Sequence, residues 1–146
     1  MSLPIIQLYT DGGSRGNPGP AGYGFVVKTN SQSGAVNFLK KCGDYLGFAT
    51  NNQAEYHGLL AGLGWLLDNH YQDSNLTVFM DSLLVVNQLN GKFKVKNPQL
   101  KPLWRQAQTL LHQFTIFNLK HIPRNQNVLA DRLANLAMDR QSRVEG

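Results

Sequence analysis

The sequence predicts an α/β fold, a mixed five-stranded sheet flanked by helices in the order βββαβααβα. Three observations lead there. The N-terminal third holds three stretches of β-forming residues joined by short polar segments, as in an antiparallel meander. The apolar period then changes: Leu59, Leu60, Leu63, Leu66 and Leu67 recur three and four residues apart, the spacing of a helix. Beyond them strand-like and helix-like stretches alternate, and helical crossovers make the first, fourth and fifth strands parallel neighbours.

Ile5 to Thr10 is the first strand. Gly22 to Asn30 and Ala35 to Leu46 are the second and third, joined by the polar turn Asn30 to Gly34. The long helix runs from Ala54 onward. Leu76 to Ser82 returns to strand, and LLVVNQLNG is a short helix stopped by Gly91. The next helix ends near Gln113 and begins at Pro98 or Pro102; a proline fits the first turn, where its missing N–H has no helical partner anyway. Phe114 to Pro123 is the fifth strand. The last helix spans Val128 to about Arg140, with Leu129, Leu133, Leu136 and Ala137 inward.

A length of 146 residues predicts one domain, and 42% apolar with 16% charged residues is the composition of a globule rather than a disordered chain. Fourteen Lys and Arg against 9 Asp and Glu leave a net charge of +5, which fits a polyanionic partner. Cys42 stands alone, which excludes an intrachain disulfide and a cysteine-pair metal site; it is expected in a strand as a small apolar residue. The sequence carries no basic head followed by a long apolar run and no apolar stretch near the roughly 18 residues of a membrane span, so a cytoplasmic or nucleoid location is expected.

Four of the acids occupy element ends in apolar company. Asp11 closes the first strand within LYTDGGSRGNPGPAG, and Asp81 closes the fourth. If those strands are parallel neighbours, both carboxylates emerge at one edge of the sheet. Glu55 lies at the start of the long helix, with Gly58 and Gly62 on roughly its face, where small residues let the backbone approach the sheet. Asp131 sits in the first turn of the last helix, where the chain returns to that edge. Each also fits a local role: Asp11 in a turn, Glu55 and Asp131 as acids near helix N-termini, Asp81 as a helix cap. Four such acids at one edge are better explained by one site. Unaided they would repel; oxygen ligands suit Mg²⁺, and two such ions roughly 4 Å apart can activate a water and stabilise a leaving oxygen in phosphoryl displacement.

With these residues placed, the chain resembles the type 1 ribonucleases H over nearly its whole length. The stretches that carry the resemblance are YTDGGSRGNPGPAG, TNNQAEY, FMDSLLVV and NVLADRLAN, in the family's order and spacing. It implies the ribonuclease H-like fold and endonucleolytic hydrolysis of the RNA strand of RNA–DNA hybrids, giving 5′-phosphate and 3′-hydroxyl ends. It assigns Asp11, Glu55, Asp81 and Asp131 as catalytic carboxylates holding two Mg²⁺ ions, for which Mn²⁺ can substitute. Asn17, Asn51, Asn52 and Gln53 match positions facing the minor groove of the hybrid, where amides can read a 2′-hydroxyl. Thr50 and Asn97 resemble the pair that grips a DNA-strand phosphate. TNNQ also fits a polar loop with helix-capping Asn or Thr. The expectation is a monomer with a single catalytic domain and without a separate hybrid-binding domain, and hence modest substrate affinity.

The chain departs from the family twice. Many relatives carry a glycine- and histidine-rich loop before the last acid; here that loop is Arg124 to Gln126, short and without histidine, leaving Arg124 or Asn125 as candidates to take its place. The basic helix and loop that some relatives insert is reduced to KFKVK, Lys92 to Lys96. His57, His70 and His112 are expected at the surface, and Trp65 and Trp104 in the core.

Overall fold

The structure is a computed structural model that describes residues 3–30 and 33–146. Its elements are β1 (Ile5–Ser14), β2 (Gly19–Asn30), β3 (Val36–Ala49), α1 (Asn51–Asp68), β4 (Asn75–Met80), α2 (Leu83–Leu89), α3 (Lys101–Leu111), β5 (Ile116–His121), a 3₁₀ turn (Arg124–Gln126), α4 (Val128–Arg140) and β6 (Val144–Glu145). In the sheet the strands lie in the order β5-β4-β1-β2-β3-β6. The meander pairs antiparallel, and β4 pairs parallel with both β1 and β5. Residues 31 and 32 of the turn predicted over Asn30 to Gly34 lie outside the described residues.

Three features correct the sequence reading. The sheet has six strands rather than five, because Val144 and Glu145 pair with Gly43 and Cys42 on the edge of β3. Two residues are too short to show an alternating pattern, so nothing local announces that strand. α1 begins at Asn51, three residues before Ala54, because Thr50 and Gln53 form a reciprocal capping box that carries the helix back into the polar TNNQ stretch. β1 runs on to Ser14, four residues past Thr10, paired with β2 as far as Ala21. α3 starts at Lys101, which puts Pro102 in its first turn and excludes Pro98.

The core lies mainly on one side of the sheet. Ile6, Leu8, Val27 and Val78 meet Leu59, Leu63 and Leu66 of α1, all fully or almost fully buried. α3 closes this layer through Ala107 and Leu111, and Trp104 donates its indole N–H to the Gln88 carbonyl at 3.1 Å. Trp65 also packs on this layer, as expected of a core residue. Cys42 is buried in β3. On the opposite side α4 covers part of the sheet with Leu133 and Ala137 against Val26 and Val144.

The parallel register aligns Thr10 with Met80. Asp11 does not close its strand as expected but lies within β1, paired with Gly24 of β2, and Asp81 is the first residue past β4, so the two stand side by side where the parallel β1–β4 pairing ends. α1 reaches the same edge because Gly58 lies against β1: a Cβ there would sit 2.9 Å from the Asp11 carbonyl oxygen and 3.1 Å from the Tyr23 Cβ.

Candidate active site

Asp11, Glu55 and Asp81 converge at that edge, each offering a carboxylate oxygen within 4.8 Å of the others. Asp11 is 7% and Glu55 6% exposed, a rare degree of burial for charged side chains. Asp11 is anchored by the Gly12 N–H, which donates to its Oδ1 at 2.9 Å. Glu55 Oε2 and Asp81 Oδ2 are buried without a hydrogen-bond partner. A buried carboxylate oxygen with no donor is costly, so these two oxygens fit an electropositive ligand. An all-oxygen donor set of this charge fits a hard divalent cation. Asp131 lines the same cavity, which holds about 390 Å³, but stands outside the tight group of three.

Burial pushes the Asp11 carboxyl up to about 7, helped by the nearby charge of Asp81. Burial likewise raises Glu55 well above the ordinary carboxylate range, with Asp11 adding to the effect. Between the ordinary carboxylate value and about 7, the folded metal-free protein therefore holds protons that the unfolded chain has lost. Stability from this source is fully present in acid and is lost as the pH rises through about 7. Half-buried His57, lowered by burial, acts in the opposite sense below its ordinary value, so pH 6.5 to 8 isolates the carboxylates. Over that window, in EDTA, the metal-free protein should lose about 1 kcal/mol, a fall of roughly 2–5 °C in melting temperature. Saturating divalent metal at pH 8 should reverse the loss. A flat profile in EDTA would mean that the carboxylates are not crowded in solution.

Around the acids the other candidate residues fall into distinct positions. Asn51 accepts from the Ser14 N–H and hydroxyl through Oδ1, at 2.8 and 3.0 Å, and lines the cavity with Asn52. Asn17, in the β1–β2 turn, accepts from the Asn51 N–H at 3.0 Å. The Thr50 hydroxyl and Gln53 amide are engaged in the capping box, so part of the TNNQ signal is helix initiation. Gln53 also reaches Gln99 at 3.5 Å, and the Gln99 N–H donates to Asn97 Oδ1 at 2.8 Å, tying the loops of Thr50 and Asn97 together. Arg124 and Asn125 part company: Arg124 lines the carboxylate cavity, whereas Asn125 lines a second cavity on the other side of the 3₁₀ turn. His57 is half-buried rather than at the surface, while His70 and His112 are exposed.

Sequence reasoning missed two residues. Asn135, one helical turn past Asp131, donates to its carbonyl at 2.9 Å and its Oδ1 at 3.3 Å. Arg15 reaches the Asn135 carbonyl and amide oxygens and pairs with Asp139, fastening the β1–β2 turn to α4. The four-residue spacing of Asp131 and Asn135 on one helix face was the available signal for the first; nothing local marks Arg15.

Residues 9–137 match the family model described as reverse transcriptase-like. The chain is 49% identical over 134 residues to the bifunctional protein Rv2228c of Mycobacterium tuberculosis, an alignment covering 92% of this chain and 35% of the relative. It is 42% identical over 134 residues to ribonuclease HI of Halobacterium salinarum, covering 92% of this chain and 64% of that protein. It thus spans about a third of the length of the mycobacterial relative and just under two thirds of the archaeal one. Among solved structures, LC11-RNase H1 in complex with an RNA/DNA hybrid superposes with a TM-score of 0.84 at 39% identity, covering 93% of this chain and 98% of that one.

Proposed function

The chain belongs to the type 1 ribonuclease H family, and from that premise we propose that it hydrolyses the RNA strand of RNA–DNA hybrids endonucleolytically, leaving 5′-phosphate and 3′-hydroxyl ends. The observation that carries this reading is the crowding of Asp11, Glu55 and Asp81 with two buried carboxylate oxygens left unpartnered. The proposed cofactor is a pair of Mg²⁺ ions, replaceable by Mn²⁺, held by these three residues and Asp131. When bound, such ions lower the pKa of water and stabilise the charge on a leaving oxygen.

The side chains divide the remaining work. Asp11 presents its oxygens from within β1, Asp81 from the end of β4, and Glu55 from a helix pinned by its capping box. Asn135 fixes the carboxylate of Asp131 on the far wall. Arg124 supplies a cation at the cavity for a phosphate oxygen. Asn51 and Asn52 line the cavity beside the acids, and with Asn17 and Gln53 they are proposed to read the RNA strand in the minor groove. Thr50 and Asn97, linked through Gln53 and Gln99, are proposed to hold a phosphate of the DNA strand. No helix among the described residues is long and apolar enough to cross a membrane. The proposed setting is the cytoplasm, with residues 1–146 acting as one monomeric catalytic domain.

The test is an internally labelled hybrid with both ends blocked, incubated in Mg²⁺ and in EDTA. Internal cuts in the RNA strand, carrying 5′-phosphates and seen only with metal, are expected. Binding in Mg²⁺ without cutting would instead make the chain a hybrid-binding module.

A further inference from the structure

The face of the sheet opposite α1 is only half covered. α4 lies along β2 from Val26 toward Gly22 and leaves the other end of that face bare, together with β4 and β5. Phe79 and Phe38 stand on two strands of the bare half, and Tyr9, packed in part against the α4 cluster, marks its border. The rings of Tyr9 and Phe79 stack with centroids 4.7 Å apart and planes 18° from parallel. The Lys28 ammonium lies 4.5 Å from the Tyr9 ring centre and 5.3 Å from that of Phe38, and the Lys41 ammonium lies 4.3 Å from Phe38. Lys120 stands opposite Phe79 in the β4–β5 register. Ile5, Val36, Phe38 and Ile116 on the same half are 45–53% exposed. Among the described residues, none that these strands turn to this half is acidic.

A cavity of about 190 Å³ adjoins this surface, lined by Tyr9 and Lys28 from the sheet and by Asn125, Gln126 and Asn127 from the turn before α4. Asn127 donates to the Thr10 carbonyl at 2.8 Å, but its own Oδ1 is buried and lacks a donor. The Arg124–Gln126 turn is a shared wall, because Arg124 faces the carboxylate cavity on its other side.

We propose that this face binds single-stranded nucleic acid, and that a strand leaving the carboxylate cavity passes over the Arg124–Gln126 turn onto it. Aromatic faces accept stacked bases of any sequence, lysines follow the phosphates, and amides at the cavity meet base edges. The alternative of a second copy of this chain is disfavoured by charge: self-association would bury the lysines against each other with no carboxylate to pair them. The binding itself does not depend on the nuclease reading; only the path from the carboxylate cavity does.

The experiment is fluorescence anisotropy with a labelled 12-nucleotide oligothymidylate in EDTA, where the metal-free carboxylates repel phosphate from the other cavity. Wild type should bind with a strong salt dependence. The double variant Lys28→Glu/Lys41→Glu should lose about tenfold or more in affinity, and Phe38→Ser about threefold. Both variants should keep the wild-type melting temperature and cleave a blunt hybrid within about twofold of wild type, since neither touches the carboxylate cavity. Failure of wild type to bind, or unchanged affinity in the charge-reversed variant, overturns the proposal. So does a dimer that the same substitutions dissociate, which would assign the face to a second copy. Because binding is read in EDTA, it stands or falls separately from hydrolysis.

Discussion

Asp11→Asn should lower hybrid cleavage by on the order of 10³-fold while raising the melting temperature of the metal-free protein at pH 8. The loss follows from the place of Asp11 in the carboxylate group, where the Gly12 N–H fixes its Oδ1. Ions at such a site stabilise phosphoryl-transfer charge by several kcal/mol, and each 1.4 kcal/mol is about tenfold in rate. The gain follows from the same crowding. Asp11 titrates at about 7, so at pH 8 it is ionised beside Asp81 in a buried site. An amide of the same shape removes that repulsion and still accepts from Gly12. The stabilisation is on the order of 1–3 kcal/mol and should shrink toward pH 5, where the wild-type carboxyl is protonated. Rates with Mg²⁺, paired with melts in EDTA at both pH values, check the two halves separately. Retained cleavage removes Asp11 from the site; an unchanged melting temperature at pH 8 removes the electrostatic account.

The elements that carry the acids were legible because each has a local cause. A strand-like stretch marked β4 and the leucine spacing marked α1, whereas the start of α3 stayed open between Pro98 and Pro102 until the structure set it at Lys101. The crossover rule then brought Asp11 and Asp81 to one edge without any knowledge of contacts. What escaped depends on partners distant in sequence. β6 exists because β3 offers an unpaired edge, not because Val144 and Glu145 prefer a strand. The two roles of the TNNQ stretch overlap, since Thr50 and Gln53 cap α1 while Asn51 and Asn52 line the cavity. Composition suggested an anionic partner, but the lysines that gather on the bare sheet face come from β2, β3 and β5, and only the register reveals that they share a side.

Gly12→Ala should be nearly as damaging as removing an acid, although it takes away no ligand. A Cβ at Gly12 would lie 2.3 Å from the Ala54 carbonyl carbon and oxygen and 2.6 Å from the Glu55 N. These are backbone atoms of α1, held by the capping box at one end and by Gly58 against β1 at the other, so no side-chain rotation relieves the clash. The helix must lift, and Glu55 lifts with it. Overpacking of this kind costs about 1–3 kcal/mol, and a displacement near 1 Å at a reacting centre costs about 100-fold in rate. Gly13→Ala is the matched control for stability: its nearest neighbour would be Asn51 Oδ1 at 3.8 Å, an ordinary contact. Denaturant midpoints should therefore fall for Gly12→Ala and hold for Gly13→Ala. Calorimetric titration with Mn²⁺ should show the affinity of Gly12→Ala falling although all four carboxylates remain. If its affinity is unchanged, the helix tolerates the methyl group, and the close approach of α1 to β1 does not set the position of Glu55.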